Sequence, residues 1–274
     1  MSPTWLTPTD DFADIALPEG VRQSSFRFGL SGGRDQIAAA VAAGGLGGFE
    51  APLPAHLIRT VRTSPGLFID VGANTGFYTL LAAAVSAEVR VLAVEPAAAI
   101  RTLLEANIAA NGFAAQVTVL PMALSSRSGQ ASLFIPSQEH GLVETSASLE
   151  PGFKPDHSAV EQVPVSTLDA LLLRRWPFLR VSVIKIDVEG HDAAVLRGAK
   201  WTIRCHRPVV FIEVLPTSDL DAMARLLERH RYTDLVLHAD GVVDAGRQVR
   251  FDWRAWNHAF VPRERAASFI AASK

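Results

Sequence analysis

The chain has 274 residues, 49% of them apolar, and 26 Lys and Arg against 28 Asp and Glu give a formal net charge of −2. That length suits one large α/β domain with an additional N-terminal piece. The near-neutral charge, with no long basic run, argues against nucleic acid or an anionic membrane surface as a partner, and a single cysteine, Cys205, excludes an intrachain disulfide and fits a reducing compartment.

Asp10, Asp11 and Asp14 arrive early, and no basic segment leads into an apolar one, so no secretory signal is read. The Ala-rich runs at 38–43 and 80–87 are too short to span a bilayer. The expectation is a cytoplasmic protein. Residues 1 to about 33 are rich in Pro, Asp, Ser and Gly and read as an irregular arm, with Trp5, Phe12, Phe26 and Phe28 to pack it onto the body. Helices are expected over 34–43 and 54–61, separated by a glycine-rich joint at 44–48.

Leu67 to Val71 is a short apolar run that reads as a buried strand. A turn holding Gly72 and Gly76 follows, then an apolar helix from Phe77 to Val85. Strand, glycine turn and helix form the opening of a nucleotide-binding α/β unit, because the glycines admit a ligand close to the backbone. From there the chain alternates: strands at 89–94, 117–120, 181–188 and 208–214, and helices at 97–111, 167–173, 192–199 and 220–230. Such alternation predicts a doubly wound, mostly parallel sheet. Residues 123–124 and 131–135 read as a hairpin. The polar stretch 136–162, with His140 and Glu144, reads as a lid or binding loop. The last strands are expected near 235–237 and 259–261, made antiparallel by a turn at Asp240-Gly241.

Four apolar strands end in an acid: Asp70, Glu95, Asp187 and Glu213. In a parallel sheet these carboxyl ends share one rim, where ligands bind. The result is an electronegative crevice suited to a cationic ligand. Gly72-Ala73-Asn74-Thr75-Gly76 lacks the middle glycine of a dinucleotide fingerprint, and Glu95 follows Gly76 by 19 residues, where an acid can take two ribose hydroxyls. An adenosine with a cationic tail, such as S-adenosylmethionine (SAM), meets these conditions. In the fourth strand Lys185, Asp187 and Glu189 alternate with Ile184, Ile186 and Val188 and share one side. Lys185 is expected to pair with Asp187 or Asp70. His191, at a helix start, is a candidate general base, and Asp187 with Glu213 offers oxygen ligands for a divalent ion, though a metal is not the favoured reading.

The chain resembles the class I SAM-dependent methyltransferases, and more narrowly the FkbM-type family. Four blocks carry the resemblance: Phe68 to Thr79; Val94-Glu95-Pro96 with Glu105-Ala106-Asn107 and Asn111-Gly112; Val163 to Asp169; and Ile184 to Gly190 with Val195 to Ala199. It implies a Rossmann-like α/β fold with a seven-stranded sheet and an antiparallel terminal hairpin over 67–274. Residues 1–66 are left as an N-terminal helical arm for acceptor recognition, lid closure or a homodimer contact. It also implies SAM over Gly72, Asn74 and Gly76, Glu95 on the ribose, Asp70 near the methionine end, and Met122 and Ala123 at the adenine; Asp187 is a further expected cofactor-binding residue. The implied reaction is O-methylation of a sugar or natural-product hydroxyl, with Asp187, His191 or Glu213 as base. N-methylation, an NAD-dependent oxidoreductase and a non-catalytic SAM-binding protein are the alternatives.

Overall fold

The computed structural model describes residues 10–136, 146–154 and 156–273. Trp5 of the arm, and His140 and Glu144 of the loop, lie outside them. The described part of the arm is not irregular throughout. Strands β1 (Phe12–Ala16) and β2 (Ser25–Gly29) form an antiparallel hairpin. Its inward residues Ile15, Phe26 and Phe28 are buried, with Phe26 and Phe28 about Phe77 at centroid distances of 6.2 and 6.0 Å. The alternation in Ser-Phe-Arg-Phe is a strand signal that the surrounding turn formers obscure. Helices α1 (Gln36–Gly44) and α2 (Leu53–Thr63) follow. Asp35 caps α1 by accepting from the Ala38 N–H at 3.0 Å.

Then come β3 (Leu67–Val71), α3 (Phe77–Val85), β4 (Arg90–Val94), α4 (Ala98–Ala110), β5 (Val117–Leu120), β6 (Ala123–Leu124), β7 (Gly129–Pro136) and β8 (His157–Ser166). They are followed by α5 (Leu168–Arg175), β9 (Val181–Ile186), α6 (Asp192–Arg197), α7 (Lys200–His206), β10 (Val209–Glu213), α8 (Leu220–His230), β11 (Tyr232–His238), β12 (Gly241–Gly246), β13 (Asn257–Pro262) and α9 (Arg263–Ala271). The main sheet runs β12-β11-β13-β10-β9-β3-β4-β5. Its pairings from β10 through β5 are parallel, and those of β13, β11 and β12 are antiparallel. Helices cover it as in Rossmann-like folds. Period-two alternation sends Phe68, Val91, Val183 and Phe211 into one core and Ile69, Leu92, Ile184 and Ile212 into the other.

Two expectations are corrected here. Among the described residues the sheet has eight strands rather than seven: Asp240-Gly241 joins β11 to β12, an edge strand too poor in buried apolar residues to be read as one, and β13 inserts between β11 and β10. Residues 123–124 and 131–135 do not pair with each other. Strand β8 lies between them, parallel to β6 and antiparallel to β7, so residues 157–162 of the expected loop are strand. Among the described residues no single helix is long and apolar enough to cross a membrane.

Candidate active site

The turn after β3 is held open by its neighbours. Gly72 has φ +77° and is pressed so closely to the Asp187 carbonyl that a Cβ would collide with it. The Asp187 N–H in turn donates to the Val71 carbonyl at 3.0 Å, so the ends of β3 and β9 are tied together. Asn74 takes the left-handed region at φ +54°, which its short polar side chain tolerates, and its Oδ1 accepts from the Thr75 N–H at 2.7 Å. Gly76 opens α3 with φ +103°.

Glu95 sits at the end of β4 as the sequence placed it. Its two oxygens accept from the backbone N–H groups of Asn74 and Ala97, each at 2.9 Å. Burial pushes its pKa up to about 7 against those hydrogen bonds. Glu95, Gly72, Asn74 and Ala123 line a narrow cleft with the apolar walls Val71, Val94, Leu124 and Leu133. Met122 does not line it and packs instead against the second core.

Beside the cleft lies a larger cavity of about 530 Å³. Gly72, Asn74, Asp187 and Glu189 line both. Lys185, Glu213, Tyr78, Glu50, Phe153 and Trp256 line the larger one alone. The side expected for Lys185, Asp187 and Glu189 is therefore this wall. Lys185 Nζ pairs with Asp187 Oδ2 at 2.8 Å and lies over the Tyr78 ring, 4.7 Å from its centroid. Burial by itself would lower the Lys185 pKa, but Asp187, Glu50 and Asp70 hold the ammonium charged beyond its ordinary range. Ligand oxygens of Asp187, Glu189 and Glu213 can lie within 4.8 Å of one another, the separation of groups that share a cation. Burial and the Asp187 charge push Glu213 up to about 9 and Glu189 up to about 8.

Asp70 lies beneath this floor and lines neither cavity. Thr79 Oγ1 donates to its Oδ2 at 2.7 Å, and burial raises it to about 6. His191 faces the narrow cleft, away from the wall of Glu213. Its Nδ1 is 2.6 Å from Glu150 Oε1 and its Nε2 is 2.9 Å from Ser125 Oγ. Sequence reasoning missed Glu50, Tyr78, Ser125 and Glu150. Tyr78 stands inside the first motif block, Phe68 to Thr79. The other three are brought in by pairings remote in sequence, for which the chain carries no local signal.

A family model for the methyltransferase FkbM domain matches residues 70–233. The chain belongs to the FkbM-domain methyltransferases. Among solved structures, this methyltransferase is similar to methyltransferase FkbM from Methylobacillus flagellatus KT, with 19% identity and a TM-score of 0.47. The match covers 72% of this chain and 43% of that one, so this FkbM-domain chain spans less than half the length of that relative. It is also similar to precorrin-6y C5,15-methyltransferase from Geobacter metallireducens GS-15, with 11% identity, coverage of 76% and 86%, and a TM-score of 0.43. No curated protein matches this methyltransferase.

Proposed function

We propose that the chain transfers a methyl group from SAM to a hydroxyl oxygen of a small molecule, a sugar or a natural product. The observation that carries this reading is the shared wall: Asp187 borders both the Glu95 cleft and the larger cavity. Cofactor and acceptor sites would then meet at one carboxylate.

The residues fit SAM. Glu95 is fixed by two backbone donors and keeps lone pairs for a pair of ribose hydroxyls. The walls of its cleft are apolar, as a purine requires. The adjoining acids suit a cationic tail, with Gly72 and Asn74 presenting their backbone beside them; Gly76, expected there too, is instead buried against Leu104 and lines neither cavity. When bound, SAM supplies an electrophilic methyl carbon.

The chain's own residues hold the acceptor and manage its proton. Asp187 is the proposed base, oriented by Lys185. Glu213 is raised to about 9 and retains a proton near neutrality, so it is a donor to the acceptor rather than the base. His191, engaged by Glu150 and Ser125, serves the cofactor side. Residues 1–66 wall the acceptor side through Glu50, and 67–274 form the methyltransferase domain.

The test is a calorimetric titration with S-adenosylhomocysteine (SAH), run beside NAD. Micromolar SAH binding with no NAD binding is expected; preference for NAD removes the reading. For the base, Asp187→Asn is expected to lower turnover on the acceptor by about 10²-fold or more. Full turnover in Asp187→Asn removes the assignment of Asp187 as the base.

A further inference from the structure

An α-amino acid tail brings an ammonium group to the larger cavity and requires a carboxylate there. The acid at the end of β3 is poorly placed for that role. Asp70 is 1% exposed and lines neither cavity. The N-terminal segment supplies another. Glu50 lies between α1 and α2, outside residues 70–233, and lines the cavity beside the glycine turn.

Three contacts deliver Glu50 to this place. Phe49 packs edge-on against Phe77, the first residue of α3, at a centroid distance of 5.9 Å and an interplanar angle of 88°. Tyr78, the next residue of α3, donates its hydroxyl to Glu50 Oε2 at 2.7 Å. The Glu50 carbonyl accepts from the Leu53 N–H at 2.9 Å, tying the residue to the start of α2. Glu50 also holds φ +49°, a left-handed backbone that L side chains rarely adopt. An acid is therefore kept where glycine or asparagine would be easier, with its carboxylate over the first turn of α3.

We infer that Glu50 is a cofactor-binding residue contributed by the N-terminal segment, and that it takes the α-ammonium group of SAM and SAH. The inference rests on the proposed SAM site. It gives residues 1–66 a share of the cofactor as well as of the acceptor wall. The charge of Glu50 is the part that matters, since an amide oxygen could still accept from Tyr78.

Two ligands separate the tail from the nucleoside: SAH, which carries the amino acid, and 5′-methylthioadenosine, which lacks it. Calorimetry on the full chain is expected to show Glu50→Gln weakening SAH about tenfold or more, with 5′-methylthioadenosine unchanged within about twofold. Glu50→Asp, which keeps the charge, is expected to recover part of the loss. Unchanged SAH affinity in Glu50→Gln overturns the inference while leaving the SAM site standing, and so does an equal loss for both ligands. Failure of the wild type to bind either ligand removes the SAM site and the inference together.

Discussion

Lys185 Nζ lies 2.8 Å from Asp187 Oδ2, and this pair stands where the main sheet, the glycine turn and the N-terminal segment converge. Lys185 is 5% exposed, and the acids near its charge include Asp187, Glu50 and Asp70. One ammonium thus offsets the mutual repulsion of several carboxylates. Removing one partner of a buried pair costs about 3–5 kcal/mol, because the remaining charge stays desolvated. Lys185→Met is therefore expected to lower unfolding free energy by about 3 kcal/mol in urea denaturation. Adding Asp70→Asn to that variant is expected to restore part of the loss.

Stability should fall as pH rises through the neutral range. Burial raises Asp70 and Glu50 to about 6, Glu95 and Asp192 to about 7, Glu189 to about 8 and Glu213 to about 9. In the unfolded chain these acids ionise near pH 4–4.5. Between those values the folded state binds more protons than the unfolded state, so unfolding free energy declines with pH up to about 9. Thermal melts from pH 5 to 9 check the sign. Glu213→Gln is expected to flatten the curve and to gain about 1 kcal/mol or more at pH 8.

Glu95→Ala tests the other end of the proposed cofactor site. The substitution leaves the Asn74 and Ala97 N–H groups without their acceptor and removes the proposed ribose contact. A loss of about 1–3 kcal/mol in stability is expected for the orphaned donors. SAH and 5′-methylthioadenosine should weaken together by about tenfold or more, in contrast to the tail-selective effect expected of Glu50. Selective loss of SAH alone would place Glu95 on the tail and not on the nucleoside.

His191→Ala is expected to act through the segment 146–154. Glu150 of that segment holds Nδ1 at 2.6 Å, and Ser148 Oγ donates to the Glu189 carbonyl at 2.8 Å. With the first contact gone, hydrogen exchange should rise at 146–154 and stay unchanged in β3 and β9. SAH affinity should fall by about three- to tenfold. A variant that exchanges like the wild type at 146–154 would mean that the remaining ties, among them Ser148 and the contact of His157 Nε2 with the Pro151 carbonyl at 3.0 Å, secure the segment.

The parallel core was legible because its signals are local. Leu67 to Val71 is a continuous apolar run, and the acids at strand ends announce their rim without further information. The alternation around Lys185 also gave its ion pair, since a buried ammonium needs a partner within reach. Strand β12 was not legible: none of its residues is buried, and its place depends on pairing with β11. The insertion of β8 between β6 and β7 was hidden for the same reason, because register between distant segments leaves no periodic mark. Glu50 follows a glycine-rich joint and gives no sign in sequence that it reaches Tyr78, 28 positions away.

The segment 146–154 walls both cavities: Ala147 and Leu149 border the narrow cleft, and Ser146, Phe153 and Lys154 border the larger one. A ligand that shifts this strip on one side reshapes the wall presented to the other. With cofactor and acceptor placed as proposed, the two sites share a coupling free energy, and thermodynamic reciprocity fixes its form. Whatever factor the cofactor contributes to acceptor affinity, the acceptor returns to the cofactor. An acceptor that tightens SAM in this way also slows its departure before transfer, so commitment to the reaction and discrimination among acceptors draw on the same nine residues.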